Sequence, residues 1–284
     1  MTALVVHRVG LALVQDPGRP GQAAIGVGRS GAADRSSYAL ANRLVGNSPV
    51  AAALEVTLGG LEVEAADGTA WIAVTGAPTP LLLDNRPEPT GAVLALRPGA
   101  RLELGLPADG LRSYVAVRGG VDAQPILGSR SHDTLAALGP APLGVGDSLL
   151  VGDDVADEIR VDAVPAQRYD ARPVLRVVRG PRDDWVREPA LLVSTTWTVA
   201  PDSDRVGIRL TGGRLDLVDP GRQLPSEGAT RGAIQVPPEG EPVVLGPDHP
   251  VTGGYPVVGV VVDGDTDRLA QLRPGEPVGF AWVP

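Results

Sequence analysis

Apolar residues occur in short runs along this chain, and polar turns separate the runs. From residue 61 to 165 these are LEVEA, WIAVTG, PLLLD, AVLAL, RLELG and SYVAVRGG, with turns such as Asp67-Gly68 and Pro98-Gly99 between them. Short apolar runs bounded by Gly, Pro, Asp and Asn are typical of β-strands. Many such runs at regular spacing predict a mainly-β fold, either a barrel or a sandwich.

One stretch has a different pattern and predicts a helix. IGVGRSGAADRSSYALANRLVGN begins as a glycine-rich loop, continues as a helix over residues 34–45 and ends at Gly46-Asn47. Ser30 or Asp34 is placed to cap this helix. The helix N-terminus, with Ser30, Asp34 and Arg35, is a candidate anion site, and a capped helix with an Asp–Arg pair is the alternative.

Short sequences recur in the same order in the two halves of the chain. Asp34-Arg35 precedes LEVTLGGLEVEA, and Asp204-Arg205 precedes IRLTGGRLDL. In the same way, LRPGARL at 96–102 matches LRPGEPV at 272–278. This order indicates an ancient duplication, and it predicts two related β-domains, residues 1–170 and residues 171–284.

Composition narrows the classes of function. The 284 residues are 43% apolar, and no apolar run is long enough to cross a membrane, which favours a globular protein in the cytoplasm. The chain has no cysteine, which excludes disulfides, thiolate metal sites and a cysteine nucleophile. It has no lysine either, which excludes a lysine Schiff base, a P-loop lysine and biotin attached to this chain. A net charge of −9 without an arginine cluster argues against nucleic acid as a partner.

The greatest concentration of candidate chemistry lies between Ser226 and Pro256. Two apolar runs, around Ile234 and Val244, alternate here with turns that carry polar side chains and paired glycines. Adjacent glycines let a backbone approach a ligand closely, and polar loops held by strands are the usual setting of a binding site. A hairpin with ordinary turn chemistry is the alternative interpretation.

Charged residues outside this stretch are further candidates. Glu55 lies in an apolar segment, where a carboxylate must either pair with an arginine or take part in chemistry, because burying it unpaired is costly. Arg19 lies in the loop DPGRPG, and Arg130 and His132 lie in GSRSHDT. His132 has no partner at the spacing of metal ligands, so no metal site is predicted.

Several longer motifs occur in order along nearly the whole chain. They are DPGRPG, SGAADR, ANRLVGN, LEVTLGG, YVAVRGGVD, LGSRS, VRGPRDDW, PDSDRVGIRL, SEG, GAIQVPPEG and TGGYP. With them the chain resembles the KipA-like family of 5-oxoprolinase C subunits, also called biotin-dependent carboxyltransferase or second allophanate hydrolase subunit. The resemblance implies two tandem cyclophilin-like β-barrel domains with few short helices. It also implies a partner, a homologous B subunit of the KipI-like or first allophanate hydrolase subunit type.

The resemblance implies three alternative functions. The first is a subunit of an ATP-dependent 5-oxoprolinase, which opens 5-oxoproline to glutamate together with its B and A subunits; ATP would be bound by the complex. The second is a carboxyltransferase subunit of the urea carboxylase type, with biotin carried by another chain. The third is a non-catalytic regulatory partner of a KipI-like protein. We favour the first, because no biotin carrier or biotin carboxylase region is fused to this chain.

Both enzymatic alternatives act on a polarised amide or ureido group, which needs oxyanion donors and a group that manages a proton. The candidates for proton transfer are Glu55, Glu227 and Asp248. The candidates for substrate binding are Arg19, Ser30, Asp34, Arg35, Arg130, Ser226, Gln235, Thr252, Gly253, Gly254 and Tyr255. We expect one wall of the active cleft to be formed by Ser226-Glu227-Gly228, Gln235 and Thr252 to Tyr255.

Overall fold

The chain divides into two compact units in the computed structural model, which describes residues 2–283. The first unit contains the described residues up to Arg19, together with Ser30–Asp133 and Ala137–Arg168. The second contains Pro20–Arg29, Thr134–Ala136 and the chain from Tyr169 onward. The predicted domains, 1–170 and 171–284, stay a prediction. No helix within residues 2–283 is long and apolar enough to cross a membrane.

The first unit consists of two antiparallel sheets and one helix. The seven-stranded sheet has the order β11-β12-β1-β4-β9-β6-β7, and the five-stranded sheet has the order β2-β3-β10-β5-β8. The strands are β1 Ala3–Arg8, β2 Leu11–Gln15, β3 Ala53–Thr57, β4 Leu61–Ala65, β5 Ala70–Gly76, β6 Leu81–Leu83, β7 Arg86–Glu88, β8 Val93–Leu96, β9 Arg101–Leu104, β10 Arg112–Val117, β11 Val121–Asp122 and β12 Ser148–Val151. The helix α1 spans Arg35–Leu44, which agrees with the predicted helix to within a residue at each end.

The core of this unit lies between strands that alternate in burial. In β4, Leu61 and Val63 are buried, whereas Glu62 and Glu64 face outward and pair with Arg101. This alternation is typical of an antiparallel sheet with one solvated face. Strand β10 is buried along its whole length, because α1 packs on the face that does not meet the core.

The second unit is a closed barrel with the strand order β13-β20-β17-β18-β15-β14-β21, in which β21 runs parallel to β13. Its strands are β13 Val174–Arg179, β14 Trp197–Val199, β15 Gly207–Thr211, β16 Glu227–Gly228, β17 Ala233–Gln235, β18 Val243–Leu245, β19 Thr252–Gly253, β20 Val257–Val261 and β21 Pro277–Trp282. The helices are α2 Leu191–Ser194 and α3 Thr266–Leu269, and three-residue 3-10 helices span Ala23–Ile25, Asp183–Trp185 and Asp263–Asp265.

Large apolar side chains fill the interior of the barrel. Trp197 is fully buried, and its indole Nε1 donates a hydrogen bond to the carbonyl of Leu192 at 2.9 Å. Strands β16 and β19 lie outside the barrel order and form a separate two-stranded sheet. The mainly-β prediction is therefore confirmed: one unit closes into a barrel, and the strands of the other are divided between two sheets.

Candidate functional site

Asp16 ties two polar loops of the first unit together. Its Oδ1 accepts hydrogen bonds from Ser129 Oγ at 2.6 Å, Ser131 Oγ at 2.5 Å and the amide of Gly18 at 2.7 Å. Its Oδ2 accepts from the amide of Arg130 at 2.6 Å. Asp16 is buried, so these donors replace the water that its carboxylate loses on folding. The loops DPGR and SRSHD are thereby held as one structure.

Arg19 and Arg130, two of the predicted substrate-binding residues, donate hydrogen bonds to backbone carbonyls. Arg19 is 1% exposed; its Nη2 donates to the carbonyl of Ser131, and its Nε donates to that of Ile126 at 3.4 Å. The Nε of Arg130 donates to the carbonyl of Ala123 at 2.9 Å. Both side chains therefore cross-link the backbone, and their role in substrate binding stays a prediction.

Asp34 caps helix α1 with its own carboxylate. Its oxygens accept hydrogen bonds from the amide of Ser37 at 2.9 Å, Ser37 Oγ at 2.6 Å and Ser36 Oγ at 2.8 Å. Ser30, at the start of the same loop, donates its hydroxyl to the carbonyl of His132 at 3.2 Å. Arg35 is the first residue of the helix and is partly exposed. The carboxylate of Asp34 occupies the position that an external anion takes at a helix N-terminus.

Glu55 holds the loop that leads into α1. It is 1% exposed on β3, and its Oε2 accepts hydrogen bonds from the amide of Ala33 at 2.8 Å and from Tyr114 Oη at 2.7 Å. Its Oε1 lies 3.4 Å from Arg112 Nε. Tyr114 Oη in turn accepts from the amide of Asp34 at 2.7 Å. Burial, together with the charges of Glu55 and Asp34, raises the pKa of Tyr114 well above its ordinary value, so this hydroxyl stays a donor.

Asp248, the second predicted carboxylate, is enclosed in the second unit. Arg205 binds it in a bidentate pair, with Nε–Oδ2 at 2.8 Å and Nη2–Oδ1 at 3.0 Å. Its Oδ2 also accepts from the amide of Thr134 at 2.9 Å and from Thr134 Oγ1 at 2.8 Å. The side chain of Asp248 is 0% exposed. Asp248 therefore attaches the segment Thr134–Ala136 to the second unit.

The two polar turns of the predicted wall meet in the two-stranded sheet. Glu227 pairs with Gly253, and Gly228 pairs with Thr252. A hydrogen bond of 2.9 Å from the amide of Ala229 to the carbonyl of Val251 continues the pairing. Ser226, which precedes this strand, is exposed. The structure thus brings together two predicted turns that lie 24 or more residues apart in the chain.

Gln235 completes this group from the end of β17. A Cβ on Gly253 would lie 2.5 Å from Gln235 Nε2, so the end of the Gln235 side chain lies directly against Gly253. Gly254 and Tyr255 follow directly and are both exposed. The predicted members Ser226, Glu227, Gln235, Thr252 and Gly253 are therefore neighbours in space or in sequence.

Arg182 and Trp185 join the group, and the sequence analysis did not assign them a role. The Nη2 of Arg182 donates a hydrogen bond to Glu227 Oε1, and this bond raises the pKa of Arg182 above its usual value. The guanidinium carbon of Arg182 lies 6.0 Å from the centroid of the Trp185 ring, and that of Arg222 lies 3.9 Å from it. The motif VRGPRDDW and the loop before Ser226 contain these residues, but nothing in their spacing indicates that they meet.

Exposure separates the three predicted carboxylates. The side chain of Glu227 is 34% exposed and has one arginine partner, whereas Glu55 and Asp248 are enclosed by several donors. Only a carboxylate that a substrate can reach is able to exchange a proton with it. Within residues 2–283 no group of three His, Cys, Asp or Glu side chains is placed to hold a metal ion.

Comparisons with known proteins agree on one family. The model of the carboxyltransferase domain, subdomain A and B, matches residues 25–282. The chain is 37% identical to the C subunit of 5-oxoprolinase from Escherichia coli over 98% of its own length and 90% of that protein. It is 31% identical to urea amidolyase of Saccharomyces cerevisiae over 94% of its length, but spans only 16% of that longer protein. A crystal structure of the K. lactis urea amidolyase superposes with a TM-score of 0.91 at 27% identity, covering 99% of this chain and 19% of that one.

The network around Glu55 generates a prediction about stability. Tyr114→Phe removes a donor from buried Glu55 and an acceptor from the amide of Asp34, so we expect the free energy of unfolding to fall by about 2–4 kcal/mol. The matched control is Tyr38→Phe. Tyr38 is also buried, but its hydroxyl donates to the carbonyl of Ala51, which keeps a bond from Asn42. We expect the control to lose about 1 kcal/mol in urea unfolding.

The stability of Tyr114→Phe and that of the wild-type chain should also depend differently on pH. Because the folded pKa of Tyr114 is raised, its stabilisation is complete below the ordinary tyrosine pKa of 10.0 and falls as the pH rises above it. Tyr114→Phe should therefore lose less stability than the wild-type chain between neutral and strongly alkaline pH. Equal losses of stability in Tyr114→Phe and in the wild-type chain over this pH range would contradict the role given to Tyr114.

Proposed function

Because the chain belongs to the carboxyltransferase domain family with subdomains A and B, we propose that it is the C subunit of an ATP-dependent 5-oxoprolinase, which opens 5-oxoproline to glutamate. The E. coli relative with this name is 37% identical to the chain, against 31% for the S. cerevisiae urea amidolyase, which favours this activity over that of the urea amidolyases. The observation that carries the proposal is the grouping of Glu227, Gln235, Thr252 and Gly253 around one small two-stranded sheet.

The chemistry of lactam opening gives these residues their roles. Attack of water on the ring carbonyl carbon forms a carbon–oxygen bond and places negative charge on the carbonyl oxygen. The carbon–nitrogen bond breaks once the ring nitrogen gains the proton that the water loses, which leaves the carboxylate and the amine of glutamate. The amide of Gln235 donates to the carbonyl oxygen, and Glu227 holds or delivers the proton at the ring nitrogen. The glycines at 253 and 254 let the substrate approach the backbone. Ser226 and Tyr255 supply further donors at the exposed edge of the group.

Glu55 and Asp248 are positioning residues in this proposal. Each carboxylate is fully buried and accepts hydrogen bonds from backbone amides of a loop, at Ala33 and Thr134 respectively. A buried charge that gained a proton would lose these charge-assisted bonds at a cost of several kcal/mol. They therefore fix the loops of their own units and take no proton from the substrate.

The chain has no phosphate site of the P-loop type. The chain has no lysine, and Asp34 occupies the anion position at the N-terminus of α1. We therefore assign ATP to another member of the complex. The required partners are a protein like the B subunit of 5-oxoprolinase, homologous to this chain, and a protein like its A subunit.

A second candidate function is the carboxyl transfer of a urea carboxylase. It is favoured by the TM-score of 0.91 with the K. lactis urea amidolyase. In that reaction biotin would be carried by another chain, because biotin is attached through lysine and this chain has none. The carbonyl oxygen of urea, like that of the lactam, would accept a hydrogen bond from the side-chain amide of Gln235.

Reconstitution tests the proposed function. The purified chain is assayed alone, with its B-type partner, and with both partners, for ATP-dependent release of glutamate from L-5-oxoproline. We expect turnover only in the complex. Biotin-dependent carboxylation of urea by the same complex, without glutamate release from 5-oxoproline, would favour the second candidate and contradict the first.

Glu227→Gln tests the proton-transfer role within the assembled complex. The substitution keeps the size of the side chain and removes its charge, so we expect kcat to fall by roughly two to four orders of magnitude. Glu239→Gln, at an exposed turn of the same unit, is the matched control and should leave kcat unchanged. Near-normal turnover by a folded and assembled Glu227→Gln complex would remove Glu227 from the catalytic residues.

A further inference from the structure

Two arginines flank one tryptophan next to Glu227. The guanidinium of Arg222 stacks on the ring of Trp185 at 3.9 Å, and the guanidinium of Arg182 lies 6.0 Å from the same ring. We propose that Arg182 and Arg222 form a binding site for a carboxylate group of the substrate. This inference rests on the proposed function, and it names the substrate class: a small amide that carries a carboxylate.

Both guanidinium groups keep donors for a ligand. The Nε of Arg182 is buried and has no hydrogen-bond partner among residues 2–283, although its Nη2 is bonded to Glu227. In the same range no carboxylate pairs with the exposed side chain of Arg222. Stacking uses the face of a guanidinium and leaves its N–H groups free around the edge, where a carboxylate can bind in a bidentate manner. A buried donor without an acceptor is costly, so an acceptor supplied by a ligand would bind favourably.

A third arginine of the same unit shows what a purely structural stack looks like. The guanidinium of Arg179 lies over the ring of Trp282 at 4.6 Å. Its Nη1 is bonded to Asp183 at 2.9 Å, so the charge of Arg179 already has its counter-ion within the chain. Arg222 has the stacking of Arg179 without that counter-ion.

Contacts run without a gap from Arg182 to the amide-binding group, and Arg222 adjoins them through Trp185. Arg182 binds Glu227, Glu227 pairs with Gly253, and Gly253 lies against Gln235. In 5-oxoproline the lactam and the carboxylate are attached to one five-membered ring. A lactam at Gln235 and Glu227 therefore puts its carboxylate in the neighbourhood of the arginines. Urea has no carboxylate, so this pair of charges favours the lactam acid over urea.

A turn of the backbone and the stack on Trp185 hold Arg222 in position for a ligand. It lies in an exposed loop that precedes Ser226, and a turn holds it: its amide donates to the carbonyl of Asp219 at 3.2 Å. The carboxylate of Asp219 accepts the amide of Gly221 at 3.0 Å. The stack on Trp185 then fixes the direction of the long side chain, which lowers the entropy that a ligand would have to remove.

The test compares two ligands that differ only in the carboxylate. Binding of L-5-oxoproline and of 2-pyrrolidinone to the assembled complex is measured by titration calorimetry for the wild-type chain, Arg222→Gln and Arg222→Lys. We expect Arg222→Gln to weaken binding of L-5-oxoproline by about tenfold or more and to leave 2-pyrrolidinone unchanged. Arg222→Lys should recover part of the loss, because it restores the charge but not the planar fork. In turnover the KM for L-5-oxoproline should rise while kcat stays nearly constant.

Arg179→Gln is the matched control, because it removes an arginine stacked on a tryptophan whose charge is already paired, and it should change neither affinity. Equal affinity of the wild-type complex for the two ligands, or an Arg222→Gln variant that binds L-5-oxoproline normally, would overturn the proposal. If L-5-oxoproline bound tightly and 2-pyrrolidinone did not, but no glutamate were released, the proposed reaction would be refuted. The proposed carboxylate site would still be supported. Normal turnover with an unchanged KM in Arg222→Gln would refute the carboxylate site alone.

Discussion

A carboxylate that loses its water on folding must be met by hydrogen-bond donors, because a buried charge without partners costs several kcal/mol. Asp16, Asp34 and Glu55 in the first unit and Asp248 in the second are all 4% exposed or less. Each of them accepts a hydrogen bond from a backbone amide, which belongs to helix α1 for Asp34 and to a loop for the other three. These charges therefore help to set the positions of the segments that donate to them.

The same constraint decides which carboxylate is left for chemistry. Glu227 has one arginine partner and keeps about a third of its side chain exposed. It also lies on a short strand whose pairing to Thr252–Gly253 brings it next to Gln235. A rigid scaffold with one reachable acid beside an amide donor is what lactam chemistry needs. In our proposal, the arginines around Trp185 add a preference for a charged substrate.

The sequence predicted a good deal of this structure, for identifiable reasons. Strand-length apolar runs predicted the mainly-β fold. A cap at Ser30 or Asp34 and the stop at Gly46-Asn47 predicted helix α1, and the structure uses Asp34. The grouping of Glu227 with Gln235 and Gly253 was predicted from the polar turns around Glu227 and around the pair Gly253-Gly254. The sequence did not reveal which of Glu55, Glu227 and Asp248 is exposed. Their burial depends on partners 22 or more residues away in the chain, such as Tyr114 for Glu55 and Arg205 for Asp248. Arg182 and Arg222 were missed for the same reason: a tryptophan joins them only in three dimensions.

Carboxyl-specific labelling tests the central claim most directly. The folded complex is treated with a water-soluble carbodiimide and an amine, and modified residues are located by peptide mass mapping. The account predicts that Glu227 is modified while Glu55 and Asp248 are not, and that L-5-oxoproline slows the modification of Glu227. Labelling of Glu55 or Asp248 as fast as Glu227 in the folded complex would contradict it.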